Sequence, residues 1–163
     1  MLPLREPAPA AARPGVTFHQ MLERIRYDGA YPTRERAEEV THDVLAALGR
    51  QLTGDERVDL AACLPTEAAR IFAGQIPDRR PLTGWGFVKD LATRTEATPA
   101  TARWDTGTVL TTIGDLAGRS LLDRILTQLP PGYALLFGRA ELTQQSASTS
   151  IRTPVSASVG LVT

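Results

Sequence analysis

The sequence has few of the residues that most often carry out chemistry. It contains one cysteine, Cys63, and two histidines, His19 and His42, among 163 residues. One cysteine cannot form an intrachain disulfide, and a zinc site needs three or four suitable ligands. The chain also lacks H-E-x-x-H, the phosphate-binding G-x-x-x-x-G-K-[ST] and the nucleophile elbow G-x-S-x-G. We therefore predict no catalytic residues, no metal and no cofactor, and do not expect an enzyme.

An excess of charge of one sign is also missing. The chain has 18 basic and 18 acidic residues, whereas nucleic-acid-binding domains usually show a basic excess or stripe. The local group of Arg24, Arg26, Arg34 and Arg36 is interleaved with acidic residues. We do not expect a nucleic-acid partner, and a weak nucleic-acid-binding regulator stays an alternative.

Long apolar runs are absent as well. No segment approaches the ~18 apolar residues that a membrane-spanning helix needs. The first residues contain four prolines and no apolar segment typical of a secretory signal. We expect a soluble protein in the cytoplasm with no membrane partner.

Helix signals fill the middle of the chain. Thr17 and Gln20 form a capping box, and apolar residues then recur at helical spacing on one face. The same reasoning predicts helix starts at Thr53 with Glu56, at Thr66, and at Ser120 with Asp123. The apolar face of the first helix comprises Phe18, Met21, Leu22 and Ile25. The pattern predicts an all-α fold.

The helical pattern recurs after 65 residues. Leu48-Gly49 aligns with Ile113-Gly114, and Leu64-Pro65 with Leu129-Pro130. We predict two tandem four-helix repeats, packed together as one compact bundle. The predicted segments are a disordered leader (1–15), repeat 1 (16–76), repeat 2 (82–140) and a Ser/Thr-rich flexible tail (143–163).

Three stretches resemble a known bacterial family, called domain of unknown function 2267. They are M-L-E-R-I from Met21, the helical stretch from Ala37 to Gly49, and L-A-A-C-L-P ending at Pro65. That family closes its repeat with Q-L-P. The second half has this signature at Gln128, whereas the first departs from it at Cys63. The resemblance, which covers about residues 17–140, implies a duplicated helical fold and no established activity.

The chemically capable side chains have ordinary structural interpretations. Cys63 and His42 could form a nucleophilic pair, but apolar neighbours of Cys63 favour a buried, inert thiol. His19, His42 and Cys63 lack the spacing of a metal site. We interpret Glu38, Glu39 and Asp43 as residues of a solvent-exposed helix face rather than as an acid–base or metal site.

Two aromatic residues and the tail are the candidate binding elements. Trp85 lies between two glycines, and we expect it to pack with Trp104 where the repeats meet, with a groove beside Trp85 as the alternative. In the tail, Val155, Val159 and Leu161 alternate with small or polar residues, as in a strand that adds to a partner's sheet.

We therefore predict a non-enzymatic helical interaction or accessory protein. Its partner would be a protein, and its C-terminal tail would dock it to a larger assembly. A bundle that binds a small molecule or cofactor is the alternative, with Trp85, Trp104 or His42 lining its pocket.

Overall fold

Eight α-helices make up the part of the chain that the structure, a computed structural model, describes, residues 15–139. No strand occurs within these residues, so the predicted all-α fold is confirmed. The helices are α1 (Phe18–Gly29), α2 (Arg34–Gly49), α3 (Gly54–Cys63), α4 (Thr66–Ala73), α5 (Gly84–Thr95), α6 (Pro99–Ala117), α7 (Arg119–Gln128) and α8 (Tyr133–Leu136). The predicted leader, except Gly15, and the whole predicted tail lie outside the described residues.

Threonine is the N-cap residue of four helices, and its side chain makes the capping hydrogen bond in each. Thr17 accepts from the backbone N–H of Gln20, whose side chain accepts from the Thr17 N–H in return, completing the predicted capping box. The hydroxyls of Thr33, Thr83 and Thr98 accept from the third residue of their helices in the same way. Each cap satisfies a backbone donor that the helix itself leaves unpaired.

Three predicted helix starts differ from the observed ones. Thr53 precedes α3, but its side chain makes no capping hydrogen bond. Thr66 is the first residue of α4 and follows Pro65 at the capping position. Helix α7 begins at Arg119 rather than after Ser120. The residue before it, Gly118, has a φ of +86°, which glycine adopts readily and which lets the helix begin two residues earlier than predicted.

Corresponding features recur at a nearly constant spacing. Helix α5 begins and ends 66 residues after α1, and α7 begins and ends 65 residues after α3. The left-handed residues that follow α1 and α5, Ala30 and Glu96, both have φ 56° and ψ 39°. This spacing agrees with the 65-residue pattern of the sequence, and a duplication stays a prediction.

The two halves share one hydrophobic core. The long helices α2 and α6 pack on each other, while α1 packs on α6 and α5 packs on α2. Each half therefore covers the central helix of the other. The largest fully buried side chains come from both halves: Tyr133, Phe72, Phe87, Met21, Leu22, Ile25, Leu45, Leu48, Leu52, Leu60, Leu110 and Ile113. None of the described helices is long and apolar enough to cross a membrane.

Candidate functional site

Trp104 is an exposed aromatic side chain whose ring is held in place. It lies on α6, and its indole N–H donates to the backbone oxygen of Gly29 at the end of α1, with 3.1 Å between nitrogen and oxygen. The bond joins residues that lie 75 positions apart, and the expected packing of Trp104 with Trp85 stays a prediction. The residue nevertheless remains 55% exposed. A fixed aromatic ring that faces solvent loses little conformational entropy when a partner covers it.

A surface groove runs beside this ring, and we call it the Trp104 groove. Its volume is about 430 Å³. It is lined by Asp28, Arg103, Trp104, Gly107, Thr108, Thr111, Leu135 and Leu136. Leu135 on α8 is 54% exposed, so two large exposed apolar side chains, Trp104 and Leu135, line the same groove. The guanidinium of Arg103 lies against Gly107, where a Cβ would be 2.9 Å from Arg103 Nη1.

The two charged residues of the Trp104 groove differ in whether they have an ion-pair partner among the described residues. Asp28 accepts a hydrogen bond from Arg24, which also binds Asp115 at 2.6 Å. The hydrogen bond from Arg24 to Asp115 is the largest of the effects that raise the pKa of Arg24. Arg103, by contrast, makes no ion pair within residues 15–139. Among the described residues, the groove therefore has in Arg103 a cation without an ion-pair partner beside an apolar surface, which suits an acidic group on a partner.

A part-buried hydrogen bond between Tyr31 and Asp105 lies on another side of α6. The Tyr31 hydroxyl donates to Asp105 Oδ1 at 2.6 Å, and Asp105 is only 8% exposed. Burial, and then this hydrogen bond, raise the pKa of Tyr31 far above its usual value. Sequence reasoning did not single out either residue. They lie 74 positions apart, and no local pattern connects them.

Trp85 lies on a different helix from Trp104 and outside the groove that Trp104 lines. It is the second residue of α5, is 58% exposed, and does not line the Trp104 groove. Its predicted role in a partner site stays a prediction. The other predicted partner-binding residues, Val155, Val159 and Leu161, lie outside the described residues.

The candidate nucleophile and metal ligands are dispersed over the surface. Cys63 is exposed, so the prediction of a buried thiol is wrong: this side chain lies at the last turn of α3, on the side turned away from the core. His19 is exposed, and His42 is exposed with its Nδ1 3.7 Å from Asp43 Oδ1. Within residues 15–139, no three His, Cys, Asp or Glu residues are grouped so that they could hold a metal ion.

Three of the four clustered arginines already have acidic partners. Arg24 binds Asp28 and Asp115, and Arg26 lies 3.9 Å from Glu23. The Arg36 guanidinium is 3.1 Å from Glu39. Arginines that are neutralised by acidic neighbours contribute little to binding of a nucleic-acid backbone. Such binding depends on protein cations that displace the counterions of the phosphates.

A comparison with curated proteins returned no match. The sequence model of one protein family, described as "Uncharacterized conserved protein (DUF2267)", matches residues 18–136, which extend from the start of α1 to the end of α8. The match spans nearly three quarters of the chain, so this protein belongs to the DUF2267 family.

Proposed function

We propose that this protein is a non-enzymatic interaction protein that binds a partner protein through the Trp104 groove. The observation that carries the proposal is the fixed, half-exposed indole of Trp104 beside the exposed Leu135. Tryptophan and arginine are the side chains most enriched among residues that dominate binding energy at interfaces. Trp104 and Arg103 are adjacent in this groove.

The occupant we propose is an apolar segment of the partner that carries an acidic side chain. Its apolar residues would cover Trp104 and Leu135. Its carboxylate would pair with Arg103, which has no ion-pair partner among residues 15–139. A bidentate pair between guanidinium and carboxylate fixes the orientation of the segment as well as adding affinity.

The predicted tail has its own role in this proposal. The segment that carries Val155, Val159 and Leu161 would dock the protein to a larger assembly, while the helical body binds its partner. We place both interactions in the bacterial cytoplasm. An exposed cysteine such as Cys63 suits a reducing compartment, and the family resembled is bacterial.

The test is an affinity capture from native lysate followed by binding of the purified partner. The baits are the full chain, Leu135→Glu, Arg103→Glu, and a chain ending at Leu142. Val58→Glu is the matched control, because Val58 is 66% exposed on α3 and does not line the groove. We expect a protein that the full chain and Val58→Glu capture equally and that both groove variants lose.

Direct binding then decides between the groove and the tail. The purified partner should bind at least about tenfold more weakly to Leu135→Glu than to Val58→Glu. It should also change the emission of Trp104 in a Trp85→Phe background. A partner that is lost only with the chain ending at Leu142 would move the interaction to the tail. Equal binding by all baits would overturn the proposal for the groove.

A further inference from the structure

The chain leaves the described fold at the edge of the Trp104 groove. Helix α8 contributes Leu135 and Leu136 to the lining of this groove. Gly138, two residues after α8, lies against Thr111, which also lines the groove, since a Cβ at Gly138 would be 3.0 Å from Thr111 Oγ1. Residues 140–163 follow from this point and lie outside the described residues. A segment that begins at residue 140 therefore begins at the groove.

The first residues of that segment have the chemistry that the groove fits. They are Ala140, Glu141 and Leu142. Glu141 is the last acidic residue of the sequence, and Leu142 is the first large apolar residue after Arg139. A carboxylate next to an apolar side chain is the same combination that we propose for the segment of the partner. Charge complementarity with the groove therefore favours these three residues over the rest of the C-terminal chain.

Arg103 is available to this carboxylate, whereas another nearby arginine is not. Arg103 makes no ion pair in the part of the chain that the structure describes. The guanidinium of Arg139, which is nearer in sequence, binds Asp123 Oδ1 at 2.7 Å on α7. Asp28, the acidic residue of the groove, accepts a hydrogen bond from Arg24, which reduces its repulsion of a second carboxylate.

The guanidinium of Arg103 is within reach of the third residue after Gly138. Arg103 Nη1 lies back along α6 at Gly107, where a Cβ would be 2.9 Å from it. Gly107 and Thr111 are four residues apart, which is about 6 Å along a helix. The three residues from Gly138 to Glu141 extend about 10 Å. Glu141 can therefore place its carboxylate at the guanidinium while every helix keeps its position.

We infer that residues 140–142 cover the Trp104 groove of their own chain. The carboxylate of Glu141 pairs with Arg103, and the neighbouring leucine packs on the indole ring. The contact is autoinhibitory, because a partner must displace the segment before it binds. A segment attached directly at the groove has an effective concentration on the order of millimolar, so even a weak contact is well populated. The regulatory role rests on the proposed function, whereas the contact itself does not.

Quenching of Trp104 fluorescence by acrylamide tests the contact in the full chain without a partner. A Trp85→Phe parent leaves Trp104 as the only tryptophan. We expect Glu141→Arg and Leu142→Ser in this parent each to raise the quenching constant at least about 1.5-fold, because the ring becomes more accessible. The expected change is modest, since a single exposed ion pair contributes little.

Two control variants make similar changes in the predicted tail, beyond the segment. Ser156→Arg adds a positive charge, and Val159→Ser removes an apolar side chain. Both controls should be quenched like the parent. Equal quenching constants in the parent and in both segment variants would overturn the inference. Far-UV circular dichroism confirms that each variant is folded.

A charge exchange tests the ion pair between Glu141 and Arg103. Arg103→Glu alone should raise the quenching constant as Glu141→Arg does. The two changes together should restore the value of the parent, because opposite charges then face each other again. A double variant that is quenched as strongly as the single variants would overturn this pairing.

Binding of the captured partner tests the autoinhibition. Glu141→Arg should bind the partner at least about twofold more tightly than the charge control Ser156→Arg, because a larger fraction of its grooves is open. Equal affinities would overturn the autoinhibition. If no partner bound at the groove, the proposed function would be contradicted and the quenching result would stand. If only the quenching result failed, partner binding through Leu135 would stand.

Discussion

The side-chain amide of Gln128 pairs with the backbone of Thr53. Gln128 Oε1 accepts from the Thr53 N–H at 2.9 Å, and Gln128 Nε2 donates to the Thr53 carbonyl at 3.0 Å. The same Nε2 also donates to Glu56 Oε1 at 2.9 Å. The end of α7 is thereby tied to the start of α3. This glutamine is the first residue of the Q-L-P signature, so its position in the fold gives that residue a structural role.

Gln128→Ala should destabilise the protein by about 1–2 kcal/mol. The change removes hydrogen bonds that each contribute about 0.5–1.5 kcal/mol, but the freed backbone groups lie at the surface, where water can replace part of the loss. Urea unfolding followed by circular dichroism measures the free energy of unfolding.

Thr127→Ala is the control for Gln128→Ala. Thr127 is exposed on the same helix, and its hydroxyl bonds only to the Asp123 carbonyl one turn earlier. We expect Thr127→Ala to change the free energy of unfolding by no more than about 0.5 kcal/mol. Equal losses in the two variants would show that the contact with Thr53 contributes nothing specific.

Local features of the fold could be predicted from the sequence, because their causes lie within one helical turn. Thr17 and Gln20 are three residues apart, and their capping box forms as expected. The contact between Gln128 and Thr53 spans 75 residues, and nothing in either segment indicates its partner. This long-range contact also explains the error at Thr53, whose hydroxyl lies 3.4 Å from Gln128 Oε1 rather than at a capping position.

Tyr31→Phe should lower the free energy of unfolding by about 1–3 kcal/mol. The hydroxyl is a donor to the buried Asp105, and its loss leaves a buried carboxylate oxygen without that partner. Tyr27→Phe is the matched control, since Tyr27 is 84% exposed. We expect Tyr27→Phe to leave the free energy of unfolding unchanged. Thermal unfolding of both variants at one pH provides the comparison. A Tyr31→Phe protein as stable as Tyr27→Phe would mean that water replaces the hydroxyl at Asp105.

The candidate site was harder to predict than the fold, because exposure depends on how helices pack. Trp104 and Leu135 lie 31 positions apart and resemble ordinary core residues in the sequence. They stay exposed because their helix faces remain uncovered by the other described helices. For Cys63, the apolar neighbours suggested burial, yet only Leu60 of α3 is buried. Adjacent residues on a helix point in different directions, so apolar neighbours in sequence do not imply a shared environment.

Asp43→Asn should raise Tm at pH 7 and have no effect at strongly acidic pH. Burial raises the pKa of Asp43 above its ordinary value of 3.8, so the folded state favours the protonated carboxyl. The resulting stabilisation is present below pH 3.8 and is lost as the pH rises through the raised pKa. At pH 7 the ionised group therefore opposes folding, and a neutral amide removes that effect.

Thermal unfolding of Asp43→Asn between pH 3 and 8 should give a Tm difference from the unaltered chain that grows with pH. Asp55→Asn is the control, because Asp55 is exposed in the first turn of α3, where a negative charge is favourable. That change should leave Tm unaltered or lower it at pH 7. A Tm difference for Asp43→Asn that is independent of pH would contradict the assigned cause.

Gly49→Ala should destabilise the protein by about 1–3 kcal/mol, whereas Gly107→Ala should leave it unchanged or more stable. Gly49 ends α2 as the sequence predicted, but Arg50 after it has ordinary right-handed geometry. The glycine is needed for packing instead, since a Cβ there would fall within 3.0 Å of the Phe72 carbonyl oxygen. At Gly107 the close atom among the described residues is the flexible end of Arg103, and alanine is the better helix former by about 1 kcal/mol. Urea unfolding of both variants measures the two changes in the free energy of unfolding. If Gly49→Ala stabilised the protein as much as Gly107→Ala, the backbone at Phe72 would have to move aside freely.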